Sequence, residues 1–279
     1  MAIYNVFSHP VLHQYKTHVF SKATVIQVLT ILLTFILPLI IVYRSDGLWI
    51  REIRYREQPK ITFKKELIFL LHLSTNQSYV TYSTFQNYNN LQQQFLRIPL
   101  IKAFEEDITG NGLSDGLQLN LEIPLFDSEQ VVGVEMLLFF TYKLQKFSSL
   151  FMDCMAYIQH SFAVAGAKLQ IFGNLQIRQK NLLLNKGTNR KYDVPIVDSS
   201  SIFSDAYDLS QILEQYTQRN VTTELVAPYY TWIVGRGAGR PFIISASIKY
   251  PEDEFVISVP VKVGLGSICV CLGAVHHHF

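Results

Sequence analysis

The chain has 279 residues, of which 16% are charged, and its formal net charge is +2. Typical soluble domains contain about 25% charged residues, so we expect part of this surface to face lipid or partners. A net charge this small does not indicate a nucleic-acid-binding protein. Of the three cysteines, Cys154 lies in the body of the chain and Cys269 and Cys271 lie near its end. A disulfide framework is therefore not predicted.

The first predicted element is a membrane helix at residues 23–43. This stretch carries no charge and is bounded by Lys22 and Arg44. As an α-helix it would cover ~30 Å, the thickness of the hydrocarbon core of a bilayer. A cleaved signal peptide is the alternative, but its apolar region would be about 7–15 residues long and would end at small residues. We therefore divide the chain into a tail (1–22), a membrane helix (23–43), a large domain (44–251) and a second tail (252–279).

One face of the predicted helix is polar. Thr24, Gln27, Thr30 and Thr34 are spaced by 3, 3 and 4 residues, which places them on one side. Small and amide-bearing residues on one face of a membrane helix usually contact another helix. Alternatively, the threonines hydrogen-bond to carbonyl groups of their own helix. The spacing therefore predicts a helix–helix interface but leaves this second interpretation open.

The large domain is predicted to be mainly β, as an antiparallel β-sandwich-like fold with one short helix. Apolar and polar residues alternate over residues 117–125 and again over 242–250, a pattern typical of half-buried strands. The segment 147–159 fits either a helix or a strand, and its strand-like neighbours favour a strand. The short helix is predicted at residues 209–216, with Ser204, Asp205 and Asp208 available to cap its start.

A candidate calcium loop follows residue 106. Asp107, Thr109, Asn111 and Asp115 supply oxygen ligands at positions 1, 3, 5 and 9, and Gly112 occupies position 6, where calcium loops turn sharply. Position 12 is Gln118, where such loops usually have glutamate. The alternative is a polar loop between two strands that binds no metal. Calcium is the one cofactor that the sequence predicts.

The orientation of the large domain is ambiguous from charge. Residues 44–65 carry more Lys and Arg than acids, which by itself would keep this side of the membrane cytoplasmic. Two glycosylation sequons, at Asn76 and Asn220, indicate the opposite side. Because long domains translocate with little regard to charge, we expect the large domain to be exoplasmic.

Enzyme signatures are missing from the sequence. It contains no His-Glu-x-x-His, no Gly-x-Ser-x-Gly and no phosphate-binding loop with lysine. It also lacks an Asp-x-Asp pair, which many lumenal glycosyltransferases use to hold a metal and a sugar nucleotide. We expect a protein that is not an enzyme. A membrane-anchored, calcium-dependent adhesion or ligand-binding ectodomain is the alternative function.

Several short motifs, taken together and in order, are similar to those of the transmembrane protein 231 family. They are FSHP at residues 7–10, RSDGLW at 44–49, EQP at 57–59, STF at 83–85, RNVTT at 219–223, WIVGR at 232–236 and PF at 241–242. The resemblance extends from residue 1 to about residue 251. It implies a cytoplasmic N-terminus and an exoplasmic domain, in agreement with the sequons.

The same resemblance implies a function. Members of this family are non-enzymatic components of the Meckel-syndrome (B9) complex at the ciliary transition zone. The expected role is a scaffold of the diffusion barrier that controls entry of membrane proteins into cilia and supports ciliogenesis and Hedgehog signalling. The implied partners are B9-domain proteins, tectonic-type and other membrane subunits, and the lipid bilayer, with no nucleic acid.

The C-terminal tail differs from the family pattern. Members return through a second membrane helix after the β domain, whereas the uncharged run at residues 263–275 is too short for a normal span. We therefore expect an atypical C-terminus that lacks the second helix. His276, His277 and His278 are interpreted as incidental rather than as metal ligands.

Overall fold

The computed structural model describes residues 11, 14, 16, 18–44, 52–74, 78–184 and 187–258. The apolar helix belongs to one compact unit and every described strand to another, so each is described by itself. The helices are α1 (Lys22–Arg44), α2 (Gln86–Leu91) and α3 (Leu209–Thr217), and a 3-10 turn (Ser204–Tyr207) precedes α3. The strands are β1 (Glu52–Glu57), β2 (Lys60–Leu73), β3 (Tyr79–Ser83), β4 (Leu100–Glu106), β5 (Gly116–Ile123), β6 (Val131–Leu144), β7 (Ser149–Gln179), β8 (Leu183–Leu184), β9 (Thr188–Tyr192), β10 (Val221–Val234), β11 (Phe242–Lys249) and β12 (Asp253–Ser258).

Helix α1 is continuous and passes through Pro38. The segment Lys22–Val42 has a mean hydropathy of 2.8 and is long and apolar enough to cross a membrane. Its large apolar side chains, such as Phe35 and Leu39, are exposed. Because hydrocarbon accepts such side chains far more readily than water does, this surface is suited to a bilayer. The predicted N-terminal apolar helix is thus confirmed.

The β domain is built from two sheets. Nine strands form the larger sheet, whose main order is β3-β2-β6-β7-β11-β5-β4, with β9 and β10 also paired to β7. The smaller sheet has the order β1-β12-β8. The larger sheet curls, which leaves a gap between β2 and β4. The N–H of Phe63 on β2 donates to Glu105 Oε1 on β4 across this gap, at 2.6 Å. The mainly β class predicted from the sequence is confirmed.

Strand β7 connects the two halves of the larger sheet. It has 31 residues, compared with about 5–6 in an average strand. Its first part pairs with β6 from Leu150 to Ser161, and its last part pairs with both β10 and β11. The segment 147–159 is therefore almost entirely strand, as the sequence predicted.

The larger sheet is mixed, whereas the sequence predicted antiparallel strands. Strands β10 and β11 lie on opposite edges of the last part of β7, and β10 runs antiparallel to it. The chain reverses between β10 and β11, so β11 must run parallel to β7, with Ile244 opposite Leu169. Strands β9 and β8 also pair in parallel, with β7 and β12 respectively. The direction of each strand thus depends on which edge of β7 or β12 it pairs with. The local alternation of apolar and polar residues does not reveal that edge.

The core lies inside the curl of the larger sheet. The alternation predicted for β5 places Leu117, Leu119, Leu121 and Ile123 inside, each at most 2% exposed. Asp253 of β12 is buried and attaches the smaller sheet, because its Oδ2 accepts from the Tyr142 hydroxyl (3.2 Å) and the Ile177 N–H (3.1 Å). Burial raises the pKa of this carboxyl above its usual value.

A bulge interrupts the β10 ladder. Val226 pairs with Asn174 and Tyr229 with Phe172, so Ala227 and Pro228 together lie opposite Gly173. Ala227 has a φ of 48°, which lies in the left-handed region that residues other than glycine rarely adopt. The extra residue of this bulge therefore lies on β10, opposite Gly173 of β7.

The two short helices differ in how far the sequence predicts them. Helix α3 begins at Asp208, whose side chain accepts from the Ser210 N–H, as predicted. Helix α2 was not predicted, because its sequence QNYNNL is rich in asparagine and has no apolar period. Tertiary contacts stabilise it: buried Asn89 accepts from the Ser83 N–H (3.0 Å) and donates to the Ser83 carbonyl (2.7 Å).

The hydroxyl group of Tyr216 joins α3 to the sheet. Buried Tyr216 Oη accepts from the N–H groups of Met155 (3.3 Å) and Thr223 (2.8 Å), and it lies 2.9 Å from Thr223 Oγ1. The Thr223 hydroxyl in turn donates to the Met155 carbonyl. This cluster satisfies the N–H and the carbonyl of Met155 on β7 and the N–H of Thr223 on β10. Burial raises the pKa of Tyr216, so the hydroxyl stays protonated.

The substitution Tyr216→Phe is predicted to destabilise the domain by about 1–3 kcal/mol, because it leaves buried backbone donors unpaired. Chemical denaturation of the full chain in detergent, followed by tryptophan fluorescence, measures the change. Tyr229→Phe is the matched control, since Tyr229 is 73% exposed. Equal unfolding midpoints for the two variants would contradict the structural role of the Tyr216 hydroxyl.

Candidate functional sites

The candidate calcium loop connects β4 to β5 and is organised by its own hydrogen bonds. The two carboxylate oxygens of Asp107 accept from the N–H groups of Gly110 (2.7 Å) and Gly112 (2.9 Å). Both glycines have positive φ, which brings their N–H groups back towards the carboxylate. Asp115 Oδ2 accepts from the N–H groups of Ile108 and Thr109, both at 2.8 Å. The two acids therefore hold the ends of the loop together.

These hydrogen bonds also set the protonation of Asp115. Donors around it, first of all the Thr109 N–H, hold the pKa of the carboxyl below its usual value. A carboxyl whose pKa is lowered on folding stabilises the folded loop above its ordinary pKa. This contribution is present at neutral pH and is lost as the pH falls through the lowered pKa.

The structure brings three of the four predicted calcium ligands together. Thr109 Oγ1 lies 3.3 Å from Asp107 Oδ1 and 3.0 Å from Asp115 Oδ2. Asn111 is linked to them only through Gln58, whose Oε1 accepts from the Asn111 amide (2.7 Å) and whose Nε2 donates to Asp115 Oδ1 (2.7 Å). Within the described residues, no group of three His, Cys, Asp or Glu side chains is placed to hold a metal. Backbone N–H groups donate to three of the four carboxylate oxygens of Asp107 and Asp115, so the loop as it stands is a hydrogen-bonded turn. A carboxylate oxygen that accepts one hydrogen bond keeps a lone pair with which it could also bind an ion.

Calcium binding stays a prediction of the sequence, and it is tested by the melting temperature of the full chain in calcium and in chelator. An ion that binds only the folded state raises the melting temperature, and Asp115→Ala is expected to abolish that rise. Asp193→Ala, which removes an acid on a different surface, is expected to preserve it. Identical melting curves for the unsubstituted chain in both conditions would show that hydrogen bonds alone organise the loop.

The polar face of α1 contains two kinds of side chain. The hydroxyl groups of Thr30 and Thr34 donate to the carbonyls of Ile26 (2.8 Å) and Thr30 (2.7 Å), one turn earlier in the same helix. The Thr24 hydroxyl donates to the His18 carbonyl at 3.0 Å. The Gln27 amide is exposed and makes no hydrogen bond with any described residue. Gln27 is therefore the residue of this face whose polar groups most need a partner in lipid.

Of the two sequons, the one at Asn220 lies within the described residues. Asn76 lies outside the described residues. Asn220 is exposed, in the tight connection between α3 and β10, where its N–H donates to Tyr192 Oη (3.1 Å) and its carbonyl accepts from the Lys180 N–H (2.8 Å). An exposed asparagine on a fixed turn can carry a bulky glycan without disturbing the core.

The fold and its apolar helix define this chain as a membrane-anchored protein with a large β domain. The family model of transmembrane protein 231 matches residues 1–260. The chain is 41% identical to transmembrane protein 231 of Xenopus tropicalis over 254 residues, which are 91% of this chain and 81% of that protein. The mouse relative is 40% identical and the human relative 39%, with the same share of this chain covered. The chain belongs to the transmembrane protein 231 family.

Proposed function

We propose that this chain is a non-enzymatic membrane scaffold of the ciliary transition zone. Its membership of the transmembrane protein 231 family is the observation that carries the proposal. In this role it contributes to the diffusion barrier at the base of the cilium, which controls the entry of membrane proteins. Ciliogenesis and Hedgehog signalling depend on such a barrier. The proposed partners are B9-domain proteins and tectonic-type and other membrane subunits.

The proposed topology places the N-terminal tail in the cytoplasm and the β domain on the exoplasmic side. The exposure of Asn220 supports this arrangement, because a sequon on the exoplasmic side meets the glycosylation machinery. The β domain would then face the same compartment as the ectodomains of other membrane subunits. The tail would face the cytoplasmic, B9-domain subunits.

Glycosylation tests this topology. An endoglycosidase that removes N-glycans is expected to increase the mobility of the expressed chain on a gel, and Asn220→Gln is expected to remove part of that shift. Asn76→Gln tests the second sequon in the same way. Asn181→Gln is the control, since Asn181 is exposed but lies outside any sequon. If the chain shows no shift, the exoplasmic assignment is wrong.

The proposed assembly uses the polar face of α1. Lipid tails are as apolar as leucine, so helices in a bilayer associate through packing and hydrogen bonds instead of hydrophobicity. The threonine hydroxyls at Thr30 and Thr34 already have acceptors in their own helix, which leaves Gln27 to bond across an interface. We therefore expect Gln27 to make the largest polar contribution to the association of α1 with a partner helix.

The proposal is tested by co-purification of B9-domain and tectonic-type subunits from ciliated cells that express the tagged full chain. Interhelical hydrogen bonds contribute about 0.6–2 kcal/mol, so Gln27→Leu is expected to weaken association roughly three- to thirty-fold. Thr30→Val is the matched control, because its hydroxyl bonds to Ile26 of the same helix.

Localisation provides an independent readout in the same cells. A ring of tagged protein at the base of the cilium is expected, and uniform plasma-membrane or Golgi staining would contradict the transition-zone role. Equal recovery of partners by Gln27→Leu and the unsubstituted chain would show that the polar face has no part in assembly, whatever the localisation.

A further inference from the structure

A groove of about 400 Å³ lies on the outer face of β2 and β6, beside α2 and the start of α3. Pockets that bind small molecules typically have volumes of about 300–1,000 Å³. The register of β2 and β6 places Leu70 opposite Glu135 and Ile68 opposite Leu137 on this face. Their neighbours along the strands face the interior of the curled sheet and are fully buried. The groove is therefore an outer surface and no extension of the core.

The floor of the groove is apolar and its walls are fixed. Leu70 is only partly buried, although Leu137 beside it is 2% exposed. Tyr88 of α2 and Tyr207 of the 3-10 turn contact each other, with ring centroids 5.6 Å apart. The Tyr88 hydroxyl also lies 2.7 Å from Thr81 Oγ1 in the sheet. These contacts hold both walls in place, so the groove is preformed.

The rim of the groove exposes large apolar side chains. Leu91 of α2 lines the groove and is 45% exposed. Ile202 and Phe203 immediately precede the 3-10 turn whose Ser204 and Tyr207 line the groove, and they are 69% and 71% exposed. Exposed apolar residues clustered at a concave site mark interaction surfaces.

The charges of the groove are acidic. Glu135 and Asp208 line it, and Asp205 lies in the adjoining turn. Among the described residues that line the groove, His72 alone is basic, and its Nε2 lies 3.0 Å from Glu135 Oε1. No lysine or arginine lines the groove among the described residues. Charge complementarity therefore requires a partner that carries a cationic side chain next to an apolar one.

We propose that this groove binds a short segment of a partner protein in which a leucine-like side chain is followed closely by arginine or lysine. The apolar side chain lies on Leu70 between Leu91 and Leu209, and the cation pairs with Glu135 or Asp208. The site belongs to the β domain and is separate from the polar face of α1. It also does not depend on where in the cell the chain resides.

Binding of synthetic peptides to the purified full chain in nanodiscs tests the proposal. The probe is a mixture of amidated peptides with the pattern X-Leu-X-Arg-X, and the comparison mixture carries citrulline, an uncharged isostere, in place of arginine. We expect the arginine peptides to bind with Kd values of roughly 1 mM or below. The citrulline peptides are expected to bind about tenfold more weakly, because they lose the charge-assisted hydrogen bond.

Two variants with the same chemical change localise the site. Leu91→Lys places a cation on the apolar rim and is expected to reduce binding of the arginine peptides about tenfold or more. Leu100→Lys is the matched control, since Leu100 is 54% exposed on β4, outside the groove lining, and this variant is expected to bind normally. Glu135→Gln keeps the shape of the groove but removes one of its two lining acids, so it is expected to reduce the preference for arginine over citrulline peptides.

The proposal is overturned if the arginine and citrulline peptides bind equally to the unsubstituted chain, or if Leu91→Lys and Leu100→Lys have equal effects. It is also overturned if Leu91→Lys dissociates a dimer of the chain, since the occupant is then a second copy. Stronger peptide binding after removal of residues 259–279 would identify the chain's own tail as the occupant and would likewise overturn it.

Discussion

The hydrogen bonding of β7 is the constraint on which the β domain depends. One strand of 31 residues pairs with β6 and β9 near its start and with β10 and β11 near its end. None of these four strands can shift its register without breaking its hydrogen bonds to β7. Where a neighbouring strand is missing, Tyr216 and Thr223 supply hydroxyl groups to the Met155 backbone instead. One side chain of α3 and one of β10 thus supply the hydrogen bonds that no backbone pairing provides at Met155.

The two units of the chain meet opposite demands of their solvents. The β domain hides leucine and isoleucine inside a curl and satisfies its backbone between strands. Helix α1 exposes the same residue types and satisfies its backbone internally, which is what a bilayer requires. The threonines of α1 follow the same rule, because their hydroxyls bond to carbonyls of their own chain. A polar side chain on a membrane helix is therefore not necessarily free to hydrogen-bond to a partner helix.

Local patterns predicted the elements whose causes are local. The charge-free stretch predicted α1, alternation predicted β5 and β11, and Asp208 predicted the start of α3. The parallel pairing of β11 with β7 could not be predicted, because it depends on which edge each strand occupies. The order of oxygen-bearing residues from Asp107 to Asp115 fits both a calcium loop and a turn held by backbone N–H groups, so spacing alone could not choose. The groove beside α2 has no sequence signal, since distant segments form it.

The bulge at Ala227 and Pro228 limits how this protein can polymerise. Among the described strands, β10 hydrogen-bonds only with β7, so its other edge is a template on which a further strand could grow. Proline has no N–H to offer there, and the left-handed Ala227 bends the strand. A strand added at this edge would lose its backbone hydrogen bonds to β10 at the bulge. Fibrous stacking of neighbouring copies through this edge is thereby disfavoured, even where the protein is concentrated in a small area of membrane.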